Sequence, residues 1–435
     1  MNFPTTRDGM LPNPPRKGFT LIELMVAITL GLLLTLGILQ LFDGTSRTNK
    51  LQNGLARLQE NGRYAVARIE ADLRMLGGQR CSNFAGNAVT ADDRTPIWVA
   101  RAPMSYVPSL PFPDAAVAPA GATPYRLDPR LFVQGYECAG GCSTITALGT
   151  YSAESLTAGQ RVPRSDVLTI RYQAGSGWPV SVGACSASGV GGPDIVAGDV
   201  ISLVQQTGND PTPTTAPTAV LVSGCAGSVI LPVSAMAATT QPTSFTIGPG
   251  VLAGAPKAMC DGNPTTDVRV FDWADFVTVS YFLVYRTNED PDAGIRNLVP
   301  TLVRRVNGGT PEDIVQGVDQ LDFLYGVLDS NGMTRYLTAA EIDAAPIAQC
   351  TPPPEGLSNA AGCLWRDVRS VEAHLLVNST DQVFTLDDIS RSFRYMGATT
   401  NVAANGSTAL PSGQVAGSML RREFIAQTTI RNRNP

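Results

Sequence analysis

The sequence predicts an α+β protein: one long N-terminal α-helix packed on a mainly antiparallel β-rich globular domain with long loops. Three observations predict it. No proline interrupts the chain between Phe19 and Pro96, so a single helix can run through most of that span. After Gly78, short runs rich in Val, Ile, Thr and aromatic residues are separated by turn residues, the pattern of strands. With 42 Gly, 32 Pro and only 16 % charged residues among 435, the composition describes a loop-rich exported chain more than a cytosolic helical one.

The helix begins in an unusual setting. Residues 16–23 read Arg-Lys-Gly-Phe-Thr-Leu-Ile-Glu, and Leu24–Leu39 carries no charged residue. At ~1.5 Å per residue, a helix over Phe19–Phe42 crosses a hydrocarbon core of ~30 Å. Arg7, Arg16 and Lys17 favour a cytoplasmic N-terminal end and export of everything beyond Phe42. A secretory signal has its small-residue cleavage site after the apolar core; here the small residue, Gly18, precedes it. Cleavage at Gly18 would remove a polar leader, 1–18, and leave the membrane helix in place. Met10 could serve as the start in place of Met1.

Four segments follow: the leader 1–18, a transmembrane half-helix 19–42, an amphipathic half-helix 43–77 and an exported domain 78–435. In the amphipathic half, Leu51, Leu55, Leu58, Gly62, Val66, Ile69, Leu73 and Leu76 recur at helical spacing, and this stripe must pack on something. Arg47, Lys50, Arg57, Arg68 and Arg74 face away from it, and Glu70 is placed to pair with Arg74. Gly77-Gly78 supplies a stop. Gly44, Gly54 and Gly62 each weaken the helix by about 1 kcal/mol relative to Ala, so local unwinding is expected around Asp43–Ser46.

Glu23 is discordant. An ionised carboxylate at mid-depth in a membrane helix costs roughly 2.5–3.5 kcal/mol on insertion scales, so such residues usually have a partner or a function. The plain alternative is an acid close enough to the interface to stay wet. The Gly18–Phe19 junction favours function: cleavage there makes Phe19 a new N-terminus, whose amine Glu23 of a neighbouring subunit could neutralise.

The segment Gly18-Phe19-Thr20-Leu21-Ile22-Glu23-Leu24 resembles the processing motif of type IV pilins and type II secretion pseudopilins. The resemblance implies a prepilin peptidase that cuts after Gly18 and N-methylates Phe19, with Glu23 supporting assembly. It also implies a type IV pilin-like fold, anchored in the inner membrane with its C-terminal domain in the periplasm before it enters the pilus.

Strands are expected at Asp166–Gln173, Phe276–Arg286, Leu298–Val306, Leu321–Leu328, Val368–Val377 and Phe424–Ile430. Pro103–Pro124, Gly208–Pro217 and Ala237–Pro264 are too polar, small or proline-rich for core elements and read as surface loops or insertions. The exported part is large for one core, which allows two sheets or subdomains with a seam within 205–265. The tyrosine-rich run Tyr281–Tyr285, the arginine-bearing run Leu302–Val306, then Ile314–Val318, Leu321–Gly326, Val368–Val377 and the ending Arg421–Arg433 resemble the PilW family of minor pilins. That resemblance implies a low-abundance subunit that helps prime assembly with other minor pilins, the major pilin and a large tip adhesin. The J-type pseudopilin is the near alternative, though its chains are usually shorter.

Eight cysteines, Cys81, Cys138, Cys142, Cys185, Cys225, Cys260, Cys350 and Cys363, all lie on the exported side, where an even count reads as disulfides. Short loop closure favours Cys138 with Cys142 and Cys350 with Cys363. No metal site is expected, since His374 is the only histidine and Cys138–Cys142 the only tight cysteine pair. No catalytic constellation is found either: a Ser-His-Asp site would have to use His374, in a strand-like run, and nucleophile elbow, phosphate loop and zincin motifs are missing. Asp329–Gly332 has some calcium-loop flavour but reads better as a hairpin turn. The formal charge of −5, more negative once the leader is removed, argues against a general nucleic-acid binder. No cofactor is implied. A different class of function, a periplasmic enzyme or binding module merely tethered by the helix, would not need an acid at Glu23.

Overall fold

The computed structural model describes residues 18–77, 131–138, 141–142, 145–181, 195–204, 216–217, 219–224, 227–237, 243–248, 268–272, 275–287, 298–350, 362–380, 391–402 and 419–430. The chain divides into two compact units, Met1–Asn53 and Gly54–Pro435. Helix α1, Leu21–Met75, has 55 residues and ends in a turn at Leu76–Gly77. The expected unwinding around Asp43–Ser46 is not there. The Thr45 hydroxyl donates to the Leu41 carbonyl at 2.8 Å and Thr48 to Gly44 at 2.9 Å, while Arg47 pairs with Asp43 at 2.9 Å. These (i, i+4) contacts bridge the glycine that was expected to loosen the turn.

In the first unit every described residue of 18–44 is exposed, including Leu24, Ile28, Leu32, Leu39 and Phe42. Among the described residues none covers these apolar faces, and the helix is long and apolar enough to cross a membrane.

In the second unit the buried face of α1 is Gly54, Leu58, Gly62, Ala65, Ile69, Asp72 and Leu73, continued by Leu76. Leu55 is 38 % exposed and lies off the stripe that spacing alone assigned to it. Glu70 and Arg74 pair at 2.9 Å on the outer side.

This face packs into a core shared by two antiparallel sheets. One has five strands in the order β1-β2-β9-β10-β11: β1 Val133–Tyr136, β2 Val167–Gln173, β9 Phe276–Thr287, β10 Leu298–Val306 and β11 Glu312–Gln316. The other has four in the order β13-β12-β14-β17: β12 Val318–Leu328, β13 Thr334–Leu337, β14 Val368–Asn378 and β17 Arg421–Thr429. Leu302 faces Leu283, and Ala373 sits between Phe323 and Ala426. A five-residue helix, α2 (Ala339–Asp343), follows β13 behind a capping box of Thr338 and Glu341, and a separate hairpin joins β15 Arg391–Tyr395 to β16 Ala398–Val402. All six strands expected from the sequence are found, with β12 and β17 each starting three residues earlier. The hairpin reading of Asp329–Gly332 also holds: it joins β12 to β13, and Asp329 Oδ1 accepts from the Asn331 and Met333 amides, both at 2.9 Å.

A third sheet has six strands in the order β3-β8-β5-β6-β7-β4: β3 Trp178–Pro179, β4 Val200–Ser202, β5 Ala219–Gly224, β6 Gly227–Ala237, β7 Ser244–Ile247 and β8 Arg269–Asp272. It is inserted between β2 and β9, which pair directly, and the Ala174 amide closes its base on the Asp275 carbonyl at 2.7 Å. The seam therefore lies at 174 and 275, outside the expected 205–265. The expected loop Ala237–Pro264 contains β7. Val220, Val222 and Val270 face a core of the sheet's own, while Leu221 and Phe271 turn into the main core. Gly177, with φ +63°, has the Phe271 ring where a Cβ would stand. Pro103–Pro124 and most of Gly208–Pro217 fall outside the described residues.

Gly62 is a packing residue. A Cβ there would come within 2.3 Å of the Phe424 ring on β17, so its absence lets the last strand's aromatic ring reach the helix backbone. Gly62→Ala gains about 1 kcal/mol of helix propensity and meets an overpacking cost of roughly 1–3 kcal/mol. Denaturant unfolding should show net destabilisation, and adding Phe424→Leu should recover part of it through coupling; a Gly62→Ala chain more stable than wild type would contradict this packing.

Candidate assembly site

Gly18, Phe19 and Glu23, the residues expected to serve processing and assembly, lie together at the start of α1. Thr20 is its N-cap: the Thr20 amide and hydroxyl both donate to Glu23 Oε2, at 3.0 and 2.9 Å, and the Glu23 amide donates back to the Thr20 hydroxyl at 3.3 Å. This is a reciprocal capping box, which satisfies donors that the first helical turn leaves orphaned. Sequence reasoning singled out Glu23 and missed Thr20, although Thr-x-x-Glu before an apolar run is a readable signature. None of these bonds uses Glu23 Oε1. Phe19 is 87 % exposed, and a Cβ built on Gly18 would meet nothing within 4 Å. Nothing among the described residues requires glycine there. Farther along, Thr29 and Thr35 return their hydroxyls to backbone carbonyls of the preceding turn, at 2.9 and 2.7 Å, so these polar groups are satisfied within the apolar helix.

On the second unit, the helix is fixed by a carboxylate. Asp72, 5 % exposed, accepts from Arg304 Nε at 2.7 Å and Nη2 at 3.2 Å, from the Tyr281 hydroxyl at 2.5 Å and from the Tyr172 hydroxyl at 3.2 Å. Tyr281 and Arg304 face each other across β9 and β10. Burial first, and the Asp72 charge next, push both phenols above the ordinary tyrosine range, so both hold their protons and donate. The sequence carried a signal for Asp72: a lone acid three residues after Ile69 on the apolar stripe. Asp72→Ala would strand a buried guanidinium, a change worth about 3–5 kcal/mol. The Asp72→Ala/Arg304→Met double variant should lose less than the sum of the two single variants in denaturant unfolding; strict additivity would rule out the pairing.

Both described disulfides lie in this unit. Cys138 joins Cys142 with Cα atoms 4.8 Å apart, and Cys350 joins Cys363 at 5.9 Å; Cys81, Cys185, Cys225 and Cys260 fall outside the described residues. Fully buried Arg161 organises the first loop, donating to the Cys142 carbonyl at 3.0 Å and pairing with Glu154 at 3.0 Å. Cys138, Cys142 and Glu154 group their side chains, but both sulfurs are consumed by the disulfide and offer no thiolate to a metal. His374, 5 % exposed, sits between Glu372 and Glu423, its ring nitrogens at 2.9 and 2.8 Å from their oxygens.

A pair of buried acids was not foreseen. Asp166 accepts from the Cys138 and Phe323 amides at 2.7 and 3.2 Å, and Asp322 accepts from the Tyr395 hydroxyl and from Gln320 Nε2 at 3.4 Å. Burial, then the charges of Asp322 and Glu137, push the Asp166 carboxyl up to about 8 despite its two amide donors. Burial likewise pushes Asp322 up to about 6, against the hydrogen bonds from Tyr395 and Gln320. Above about pH 4 the folded chain therefore holds protons that the unfolded chain has released, so stability falls as pH rises toward 8. Thermal unfolding across this range should show Asp322→Asn with a shallower decline than wild type; parallel curves would contradict the coupling.

Residues 280–434 match the family described as Type IV Pilus-assembly protein W, PilW, and residues 13–39 match the Prokaryotic N-terminal methylation motif. No curated protein and no solved structure matches the chain. A methylation-motif helix leading into a β-rich domain defines a type IV pilin-class protein. Within that class, the C-terminal part of the chain, residues 280–434, is similar to the PilW family of minor pilins. The PilW match takes in β10–β17 and most of β9, whereas the inserted sheet lies outside both matches.

Proposed function

We propose that this chain is a minor pilin that takes part in type IV pilus assembly, in a priming or tip complex with other minor pilins and a large tip adhesin, and contacting the major pilin. A prepilin peptidase cuts after Gly18 and N-methylates Phe19. The mature protein waits in the inner membrane on its apolar helix, with its β-rich domain in the periplasm, and then passes into the pilus. It has no catalytic task.

The observation that carries this reading is the capped acid at the head of an uncovered apolar helix. Glu23 is held by Thr20 through Oε2, which leaves Oε1 to meet the N-terminal amine of a neighbouring Phe19. Attraction between those charges is strengthened where water is excluded. A simple tether has no use for the acid, and the PilW match favours a pilus over a secretion system.

Glu23→Ala should leave export and folding intact, because removing the acid eases insertion into lipid, while entry into the filament falls. Cell fractionation with sheared-pilus analysis, in a strain lacking the native copy, reads both quantities. Normal piliation and normal recovery of the variant in the sheared fraction would sink the assigned role. Thr20→Ala, which removes the hydroxyl but keeps the carboxylate, should weaken assembly less than Glu23→Ala.

A further inference from the structure

Glu137, Asp166, Gln320 and Asp322 line one cavity of about 400 Å³, together with Arg164 and Tyr395. They come from four places: the residue after β1, the approach to β2, strand β12 and hairpin strand β15. Three are carboxylates, and the single cationic lining residue, Arg164, is exposed. A carboxylate cluster is not by itself a site. Here it comes with a buried acceptor that nothing satisfies. Gln320 is 3 % exposed, and its Oε1 has no hydrogen-bond partner among the described residues.

The orientation of that carboxamide is determined by its neighbours. Its Nε2 donates to the Arg164 carbonyl at 2.6 Å, and a carbonyl can only accept, so the amide cannot be turned over. An oxygen is therefore the orphaned atom. Glu137 Oε2 is a second buried oxygen without a partner among the described residues. Orphaned buried acceptors beside two further carboxylates call for a cation or a donor. Tyr395 steadies the group, since its hydroxyl reaches both Asp322 and the His374 carbonyl, the latter at 3.1 Å.

We propose that this cavity is a binding site for a hard divalent cation of the calcium class, held by oxygens of Glu137, Asp166, Gln320 and Asp322, directly or through water. Carboxylates and a carboxamide carbonyl are calcium ligands, and the cavity leaves room for water in an irregular shell; magnesium demands near-ideal octahedral geometry and dehydrates reluctantly. The bound ion would tie both main sheets and the β15–β16 hairpin at one point. Ordered water is the competing occupant.

The test uses the full mature chain in detergent, stripped with EDTA and titrated with calcium chloride by calorimetry, with thermal unfolding in EDTA and in millimolar calcium. One calcium per chain is expected, with half-saturation on the order of 10⁻⁴–10⁻³ M, as in extracellular modules, and a rise in Tm of about 1–3 °C. Asp322→Asn and Gln320→Leu should each weaken binding at least tenfold, with Asp322→Asn no less stable than wild type in EDTA, whereas Asp313→Asn, at an exposed ion pair with Arg286, should bind normally. If a variant does not fold, the wild-type stoichiometry and Tm shift still decide. A wild-type chain giving no binding heat and the same Tm in both buffers would overturn the site and leave water as its occupant. Undiminished binding in a folded Asp322→Asn chain would overturn it too.

Discussion

A carboxylate on the buried face of a helix must be matched, and Asp72 is matched by one guanidinium and two phenols. Those partners come from β2, β9 and β10, three adjacent strands of the five-stranded sheet. A purely apolar stripe could pack on that sheet at several rotations and heights, since hydrophobic contact is non-directional. The Arg304 fork accepts one register. The same helix segment carries Gly62, whose missing Cβ admits Phe424 from the last strand of the other sheet. Asp72 and Gly62 lie ten positions apart, so one helix face keys both sheets, through charge in one case and through shape in the other.

Much of the fold was legible because its signals are local. The main-sheet strands announce themselves as Val-, Ile- and Tyr-rich runs, and the helix as a proline-free apolar repeat. The inserted sheet was harder to see. Ala219–Gly224 and Ser244–Ile247 are short, and small and hydroxyl residues stand among their apolar ones, so their composition looks like that of loops and only pairing makes them strands. The placement of the seam failed for a related reason: the join is made by Ala174 meeting Asp275, a long-range contact with no local mark. Glycine spacing misled as well. Gly44 was charged with loosening a helix that Thr48 and the Asp43–Arg47 pair hold together, and Gly62 with a weakness where it makes a contact.

The site was legible in its chemistry and incomplete in its geometry. Gly18, Phe19 and Glu23 stand out because a basic leader, a small residue and an acid in an apolar run are an improbable combination. Thr20 turns Glu23 from a lone charge into half of a capping box, which explains how the first turn can tolerate an acid before any neighbour arrives. The acid pair Asp166 and Asp322 was invisible beforehand, because its members lie far apart in the chain and meet only when the approach to β2 runs beside β12. Local structure thus sets the capping box around Glu23, and tertiary structure sets which buried groups meet in the β-rich domain.

Processing at Gly18 is the step on which the pilin reading turns, since the neighbour's amine exists only after the leader has gone. Intact-mass analysis of membrane-extracted protein, from cells with an active prepilin peptidase, measures it directly. The expected species begins at Phe19 and carries one methyl group on its amine. A mature protein that retains residues 1–18 would contradict the assignment of both the junction and the role of Glu23.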